Sequence, residues 1–436
     1  MSLTTIGVIG IVIMLVLMFI RTPLGVAMAV VGFAGVAYIS GGMAEGAHIL
    51  ATSPFRTAST YMLTVIPLFI LMGMLASHAG LSEEAFFAVN KWLGHLPGGL
   101  AIATVGGCAG FAAVCGSAAA TATTMGTVAL PEMRRYKYAD QLSLGTIACG
   151  GMLGFMIPPS IPFILYAYLT EESIGSLFIA GILPGLLIAI LFIAAIYITC
   201  RLNPSLGPKG PMVSWREKIT ALYRIWGVLL LFLLVLGGLY SGVFTPTEAG
   251  AVGAFVALVL GLVKRRITWK KIAASLTDTG RVTGMIFILI IGANILNVFI
   301  AMTEFPFALA NYVGGLPIPP IAIMLALIVV FIIVGFFMDI MAVMILAVPI
   351  IYPLLMTIGI DPIWFGVLVV LTVMIGHITP PVGIVVYAVG GIVREVPLFT
   401  IFRGVWPFFY AMVIALVILV VLPQISLWLP GLMMPG

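Results

Sequence analysis

A pair of adjacent prolines occurs twice in this chain, and each pair lies inside a long apolar segment. Pro158 and Pro159 stand in GFMIPPSIPFILY, and Pro380 and Pro381 stand in GHITPPVGIVVY. Adjacent prolines remove two backbone N–H donors and crowd the preceding turn, so a helix must break at each pair. Broken helices are tolerated inside a bilayer only where they line a buried or water-filled cavity. Two such breaks at equivalent places in two halves point to the binding site of a secondary transporter.

The composition is that of a protein with many membrane spans. Of the 436 residues, 63% are hydrophobic and 8% are charged, and the mean hydropathy is +1.28. A soluble protein carries about a quarter charged residues, and no soluble fold could bury this much apolar surface. The net charge of +5 does not indicate a nucleic-acid partner, because the basic residues lie in short loops that orient the chain in the membrane.

The sequence has no arrangement of residues that indicates an enzyme or an ATP-driven pump. It contains no cluster with metal-ligand spacing, no GxSxG motif and no Walker lysine loop. The four cysteines lack paired CxxC spacing and are expected to be small core residues. We therefore expect no cofactor, and an ion gradient as the driving force.

Charged residues and turns divide the chain into ten predicted full spans. Their approximate bounds are 3–20, 23–40, 61–80, 142–170, 175–200, 226–244, 246–263, 282–303, 362–392 and 404–423. Two further apolar stretches, 98–131 and 317–357, are too long for one span and have Gly-rich or polar middles. Each is predicted to be a re-entrant hairpin, with a pair of full spans as the alternative.

The distribution of Lys and Arg supports the hairpins. With the N-terminus outside and both hairpins returning to their own side, all of the 19 Lys and Arg residues except Arg56 face the cytoplasm. This is the distribution that the positive-inside rule requires. Treating just one hairpin as two spans gives the same sides, so the rule alone does not exclude that variant.

The two halves of the chain also match in sequence. Residues 90–97 (NKWLGHLP) resemble 311–317 (NYVGGLP), and the offset between equivalent positions stays between 218 and 222 residues. Because span 61–80 runs inward and its partner 282–303 runs outward, the repeats are predicted to be inverted, so that one site can face either side. The predicted parts are scaffold helices 1–60, a first repeat 61–200, a cytoplasmic connector 201–225, scaffold helices 226–281 and a second repeat 282–436.

The tip of the first predicted hairpin is the run of small residues GSAAAT (116–121). Small residues allow two helices to approach closely, so a simple packing contact is one interpretation. If the tip meets the first Pro-Pro break, the carbonyls of Met156 and Ile157 and the hydroxyls of Ser117 and Ser160 would form an all-oxygen cage. Such a cage suits a hard monovalent cation, helped by the partial negative charge at helix C-termini.

The tip of the second predicted hairpin is GFFMD (335–339), which places an acid within the membrane. An intramembrane carboxylate is costly unless it is paired, solvated or bound to a cation. Asp339 could instead cap the helix that follows, and the two roles are compatible. The second break would add carbonyls around Ile378 and Gly383 and the Thr379 hydroxyl.

Three further features have local explanations. His377, beside the second break, is either a hydrogen-bonding contact between helices or a proton relay. Thr245 and Glu248 fit a capping box at a helix start. Residues 215–224 are predicted either as a short basic amphipathic helix on the inner membrane surface or as part of a solvated connector.

Five motifs in order resemble those of the large membrane (M) subunit of tripartite ATP-independent periplasmic (TRAP) transporters, and the match covers essentially the whole chain. The motifs are GSAAATATTMG (116–126), GFMIPPS (154–160), TPTEAG (245–250), GFFMD (335–339) and ITPPVG (378–383). The resemblance implies import of an organic acid, driven by sodium, through an elevator-like movement of a two-hairpin domain against a scaffold. It also implies a bacterial or archaeal cytoplasmic membrane, a separate small four-helix membrane subunit and a periplasmic substrate-binding protein.

Carried onto this chain, the resemblance implies two sodium sites with the substrate between the hairpin tips. The first sodium site would consist of Gly116, Ser117, Met156, Ile157 and Ser160. The second sodium site would consist of Gly335, Asp339, Ile378, Thr379 and Gly383. The substrate would contact Ser117, Thr121, Met338 and Asp339. The second break has Val382 in place of a serine, which makes the second site the weaker expectation. A stand-alone, sodium- or proton-coupled carrier for a dicarboxylate or oxyanion, with the same two hairpins, is the alternative.

Overall fold

The computed structural model describes residues 1–393 and 395–433, and over these residues the chain forms helices and no strand. Arg394, which is expected on the cytoplasmic side, and residues 434–436 of the second repeat lie outside the described residues. Up to the connector the helices are α1 (Leu3–Phe19), α2 (Leu24–Ile39), α3 (Met43–Ala58), α4 (Val65–His78), α5 (Leu81–Leu93), α6 (Gly99–Cys115), α7 (Ala118–Arg135), α8 (Asp140–Met156), α9 (Ile161–Thr170) and α10 (Ile174–Leu202). The others are α11 (Trp215–Arg224), α12 (Trp226–Tyr240), α13 (Pro246–Val263), α14 (Trp269–Met302), α15 (Phe305–Gly314), α16 (Pro320–Gly335), α17 (Ile340–Ile358), α18 (Pro362–Ile378), α19 (Ile384–Ile392), α20 (Leu398–Val421) and α21 (Gln424–Met433).

Helix length and hydropathy are those of a protein that crosses the membrane several times. Among the described residues, seven helical segments are long and apolar enough to span a bilayer, and an eighth results if α11 and α12 count as one bent segment. The seven are 61–78, α8 together with α9, α10, α13, α14, α17 and α20. The chain is therefore an all-α polytopic membrane protein, as its composition predicts. Because α17 has the length of a full span, re-entrant insertion of the hairpins stays a prediction.

The order of helices repeats in the two halves. A short helix (α5 or α15) leads to two hairpin helices (α6 and α7, or α16 and α17), then to a broken pair and a long helix. The first broken pair is α8 and α9, and the second is α18 and α19. The two Pro-Pro sequences thus occupy the same place in the same succession of elements.

The two halves interlock around their broken helices. Helices α6 and α7 pack on α8, and α16 packs on α18, so each hairpin lies against the helix that precedes its own break. The short helix after each break packs against the other half, because α9 lies along α17 and α19 contacts α7. Together with α10 and α20, these helices form one group, which we call the hairpin group.

A second set of helices, α1–α4 and α12–α14, packs beside the hairpin group and is called the scaffold group. Its largest contacts join α2 to α14 and α4 to α13. Helix α13 begins with the predicted capping box, since the Thr245 hydroxyl accepts from the Glu248 N–H while the Glu248 carboxylate accepts from the Thr245 N–H. Side chains also join the two groups. The Asn294 amide of α14 donates to Thr57 Oγ1 at 2.9 Å and to Tyr168 Oη of α9 at 3.1 Å, and the Ser77 and Thr124 hydroxyls lie 3.3 Å apart.

Helices α14 and α3 are among those that differ from the predicted spans. The predicted span 282–303 is the last part of α14, which begins at Trp269. Charged residues such as Lys270 and Lys271 end a membrane span, but Lys and Arg are good helix formers and do not end a helix. Helix α3 is too polar for a span and was not predicted for the same reason: hydropathy reports depth in the membrane, not helicity.

Helices α2 and α14 approach closely at glycines. A Cβ built on Gly25 would lie 2.6 Å from the carbonyl oxygen of Ile288, and one built on Gly292 would overlap the Gly25 carbonyl. Both contacts are with backbone, which cannot move aside as a flexible side chain can. Close approach of backbones through small residues is a common way to associate membrane helices.

We expect Gly292→Ala to destabilise the protein, because the added methyl group must push the two helices apart. Overpacking of this kind costs roughly 1–3 kcal/mol. Gly284→Ala on the same helix is the matched control, since its Cβ would meet nothing within 4 Å and removal of a helical glycine is neutral or stabilising. Thermal unfolding of both variants in detergent is the measurement, and equal unfolding temperatures would contradict the importance of this contact.

Candidate functional site

The first hairpin tip lies directly against the first Pro-Pro break. Helix α8 ends at Met156 and α9 begins at Ile161. At the tip, Gly116 has a φ of +63°, and a Cβ built on it would lie 2.5 Å from the Pro159 carbonyl oxygen. The positive φ and the close carbonyl both require glycine here. The structure therefore brings together the tip and the break whose meeting the sequence predicts.

The carbonyl oxygens at this break point in different directions. The Pro159 carbonyl faces Gly116, whereas the Met156 carbonyl lies 2.7 Å from a Cβ built on Gly181 of α10. Ile157 also lies against α10, beside Gly185. The carbonyl oxygen that lies against Gly116 is that of Pro159, a residue that the sequence reasoning used as a helix breaker but not as a cation ligand.

Two predicted cation ligands also cap the half-helices that begin here. Ser117 is the N-cap of α7, and its hydroxyl accepts from the Ala120 N–H at 3.4 Å. Ser160 is the N-cap of α9; it is fully buried, and its hydroxyl donates to the Phe155 carbonyl at 2.5 Å. A hydroxyl has two acceptor lone pairs. Each capping oxygen therefore retains a lone pair that a cation could use.

The second break has the same form with different caps. Helix α18 ends at Ile378, where the Thr379 hydroxyl donates to the Ile375 carbonyl at 2.6 Å. Helix α19 starts after Gly383, whose φ is +62°, and no side chain caps this start. On the hairpin side, a Cβ built on Gly376 would lie 2.8 Å from the carbonyl carbon of Gly335. The break thus offers the Thr379 hydroxyl and backbone oxygens, but no equivalent of Ser160.

Asp339 is an N-cap and an accessible acid at the same time. It precedes α17, and its carboxylate accepts from the Met341 N–H at 3.1 Å. The residue is nevertheless exposed, whereas the adjacent Met338 is buried. Since one hydrogen bond leaves most of the acceptor sites of a carboxylate unused, the capping role and a binding role are compatible, as the sequence suggests.

A cavity of about 110 Å³ joins the two hairpins to the two breaks. It has room for several water molecules or a small carboxylate group. Its polar residues are Thr123, Asp339 and His377, and its apolar lining comes from Ala118, Ala122, Phe155, Ile384, Val385, Ala388 and Val389. The cavity is thus lined by residues of both hairpins.

Thr123, and not Thr121, lines this cavity. Thr121 is fully buried, and its hydroxyl donates to the Ser117 carbonyl at 2.8 Å. Thr123 is exposed and faces the cavity together with Ala122. Helical periodicity would not have found it, because Thr121, three residues after Ala118, lies nearer to Ala118 around the helix than Thr123 does.

His377 lines the same cavity without a hydrogen-bond partner among the described residues. It is 1% exposed, lines the cavity, and neither ring nitrogen makes a hydrogen bond of acceptable geometry. Its ring lies 6.2 Å from that of Phe155, and its polar neighbours are the Met338 backbone and the Asp339 carboxylate. Of the two interpretations that the sequence allows, a hydrogen-bonded contact between helices is not present among the described residues. A buried polar group without a partner is costly, so the imidazole is free to bind a group that enters the cavity.

Comparison with known proteins agrees with this architecture. Residues 11–425 match the family described as "Tripartite ATP-independent periplasmic transporter, DctM component". The chain belongs to this DctM family. Its relatives are named as transport permeases, so this DctM-family chain is a transport protein and not an enzyme.

Two relatives and one solved structure illustrate the similarity. The C4-dicarboxylate TRAP transporter large permease protein DctM of Pseudomonas aeruginosa is 36% identical over 89% of this chain and 90% of its own length. The sialic acid TRAP transporter large permease protein SiaM of Vibrio cholerae is 32% identical over 95% of this chain and 96% of its own. The YdaH transporter of Alcanivorax borkumensis, whose crystal structure was reported to have an unusual topology, has a TM-score of 0.54 at 16% identity over 88% of this chain and 89% of its own, a likeness of fold.

We expect Gly116→Ala to reduce transport by this DctM-family chain at least tenfold. The methyl group would clash with the Pro159 carbonyl and would strain a left-handed residue, at a cost of about 1–2 kcal/mol for the backbone alone. Initial uptake rates of reconstituted variants are the measurement. Gly110→Ala in the same hairpin is the control, because its Cβ would lie at an ordinary 3.6 Å from Ala85. Equal rates for the two variants would show that the tip need not approach the break.

Proposed function

We propose that this chain is the large membrane subunit of a sodium-coupled importer of an organic acid, supplied by a periplasmic binding protein. The observation that carries the proposal is the cavity shared by both hairpins and both helix breaks. Near each helix break, the cavity lies beside hydroxyl and carbonyl oxygens that have lone pairs free for a cation. A substrate in the cavity and coupling cations at the breaks could therefore bind next to one another. The named substrates of the relatives, a C4-dicarboxylate and sialic acid, are organic acids.

The first sodium ion binds where the hairpin tip meets the first break. The Pro159 carbonyl and the hydroxyls of Ser117 and Ser160 supply oxygen ligands, the class that hard cations prefer. The second ion binds near Asp339 with the Thr379 hydroxyl and backbone oxygens of the second break. Because the Asp339 carboxylate is accessible and only partly used by its N-cap bond, it supplies the negative charge for this ion.

The substrate carboxylate binds in the cavity between the two ions. The first turns of α7 and α19 border the cavity, and the N-terminus of a helix attracts anions through its free N–H groups and its dipole. Thr123 and His377 add side-chain donors. The sodium near Asp339 offsets the repulsion between that carboxylate and the substrate, which makes substrate binding dependent on sodium.

Sodium coupling is energetically sufficient for import. Each net positive charge that moves inward gains about 2.3 kcal/mol per 100 mV, on the order of 50-fold in accumulation. A monocarboxylate carried with the two sodium ions moves one net positive charge inward, whereas a dicarboxylate would need a third cation for the membrane potential to assist. The hairpin group would carry substrate and ions past the scaffold group in an elevator-type movement, in the cytoplasmic membrane of a bacterium or archaeon.

The decisive experiment is uptake into proteoliposomes that hold this chain and its small membrane subunit, with the cognate binding protein and a panel of radiolabelled organic acids outside. We expect uptake only with an inward sodium gradient and the binding protein present, and stronger uptake at negative inside potential. Replacing sodium by potassium is the control for ionic strength. Uptake driven equally by protons would contradict sodium coupling, and uptake by this chain alone would favour a stand-alone carrier.

We expect His377→Leu to raise the substrate concentration for half-maximal uptake by roughly tenfold or more, because a hydrogen bond to a charged group contributes about 1.5–3 kcal/mol. His377→Gln keeps an N–H donor and should retain much of the affinity. The half-saturating sodium concentration should change little in either variant. If sodium affinity falls in parallel with substrate affinity, His377 supports the cation site instead of the substrate.

A further inference from the structure

Helix α11 has an apolar face that is largely exposed. Trp215, Ile219 and Leu222 recur on it every three to four residues and are exposed, as are Tyr223 and Trp226, the first residue of α12. Trp215 also packs edge-on against Trp92 of α5. Tryptophan and tyrosine favour the boundary between lipid headgroups and acyl chains. Since α11 also bends by 48° from α12, it leaves the direction of the span that follows it. These features are those of a helix that lies in the membrane interface.

The opposite face of α11 forms a cavity of about 520 Å³ with α5. The charged residues that line it are Glu84, Lys91, Arg216, Glu217 and Arg224. Side-chain contacts beside the cavity hold α11 against α5. The Lys218 ammonium lies over the rings of Trp92 and Trp215, at 5.8 and 5.0 Å from their centres, and the Trp92 indole donates to the Lys218 carbonyl at 3.1 Å.

The charges in this cavity do not balance once existing ion pairs are considered. Glu84 pairs with Lys264, and Glu217 pairs with Lys91 at 2.7 Å. Arg216 and Arg224 remain, and neither has an acidic partner among the described residues. Both arginines are exposed and line the cavity, four residues before and four residues after Thr220 in the sequence. A planar guanidinium binds a phosphate through two parallel hydrogen bonds.

We propose that the cavity between α5 and α11 binds the phosphate headgroup of an anionic phospholipid from the cytoplasmic leaflet. The positive-inside distribution of Lys and Arg places α11 on that side. Arg216 and Arg224 contact the phosphate, and the exposed side chains of Leu229, Leu230 and Leu233 on α12 give the acyl chains an apolar surface to follow. Basic pockets on the cytoplasmic side of membrane proteins bind anionic headgroups in this way. The proposal does not depend on the transported substrate or the coupling ion.

The test compares lipid binding by the delipidated, detergent-solubilised chain and a double variant, Arg216→Gln with Arg224→Gln. Native mass spectrometry and thermal unfolding are recorded while phosphatidylglycerol or phosphatidylcholine is added. We expect phosphatidylglycerol to stabilise the unmodified chain at concentrations at least tenfold below those required by the double variant, with no such difference for phosphatidylcholine. Without lipid, both proteins should unfold at the same temperature.

A control variant, Lys270→Gln with Arg281→Gln, removes the same charge from exposed residues of α14 that have no ion pair among the described residues. It should bind phosphatidylglycerol like the unmodified chain. Equal losses in both variants would overturn the proposal, since they would reflect net charge alone. Glycerol 3-phosphate should stabilise the chain only at far higher concentrations; equal potency would assign the cavity to a soluble phosphate and would also overturn it.

Discussion

Backbone polar groups that lose their helical partners inside a membrane must find others, and the whole centre of this protein follows from that requirement. Each Pro-Pro break and each hairpin tip creates helix ends where water is scarce, and an unsatisfied group there costs several kcal/mol. Three of the four new helix starts receive a side-chain cap, from Ser117, Ser160 and Asp339. The fourth start, at Gly383, has none. The side-chain oxygens that accept hydrogen bonds from these helix starts are also the oxygens proposed to bind a cation. The same atoms therefore serve the fold and the proposed function.

The sequence predicts the breaks and tips well because their causes are local. Proline removes a donor wherever it stands, and Gly116 or Asp339 marks a turn through its own conformational or capping preference. The direction in which a given carbonyl or hydroxyl group points cannot be predicted in this way, because it depends on how helices distant in sequence pack together. Met156 and Ile157 contact α10 at Gly181 and Gly185, and the Pro159 carbonyl lies against the first tip at Gly116.

The same limit explains the two residues of the cavity that sequence reasoning did not assign to it. His377 could be seen beside the second break, but its neighbours Phe155 and Asp339 come from segments more than 35 residues away in sequence. Thr123 lies on the cavity side of α7, and which side that is depends on the placement of α19. The positions of Lys and Arg in the sequence indicate where a span leaves the membrane, but not where its helix begins or ends. Helix α14, for example, begins at Trp269, before the predicted span 282–303.

The crossed packing of the two short helices has a consequence for how the protein is made. Helix α9 rests on α17 and α19 rests on α7, so the partner of the first break is synthesised about 180 residues after α9 itself. Until then, α9 lacks its contact with α17, although the first break already lies against the tip of its own hairpin. The cavity between the two hairpins therefore forms last, when the second half inserts, because its lining comes from both halves of the chain.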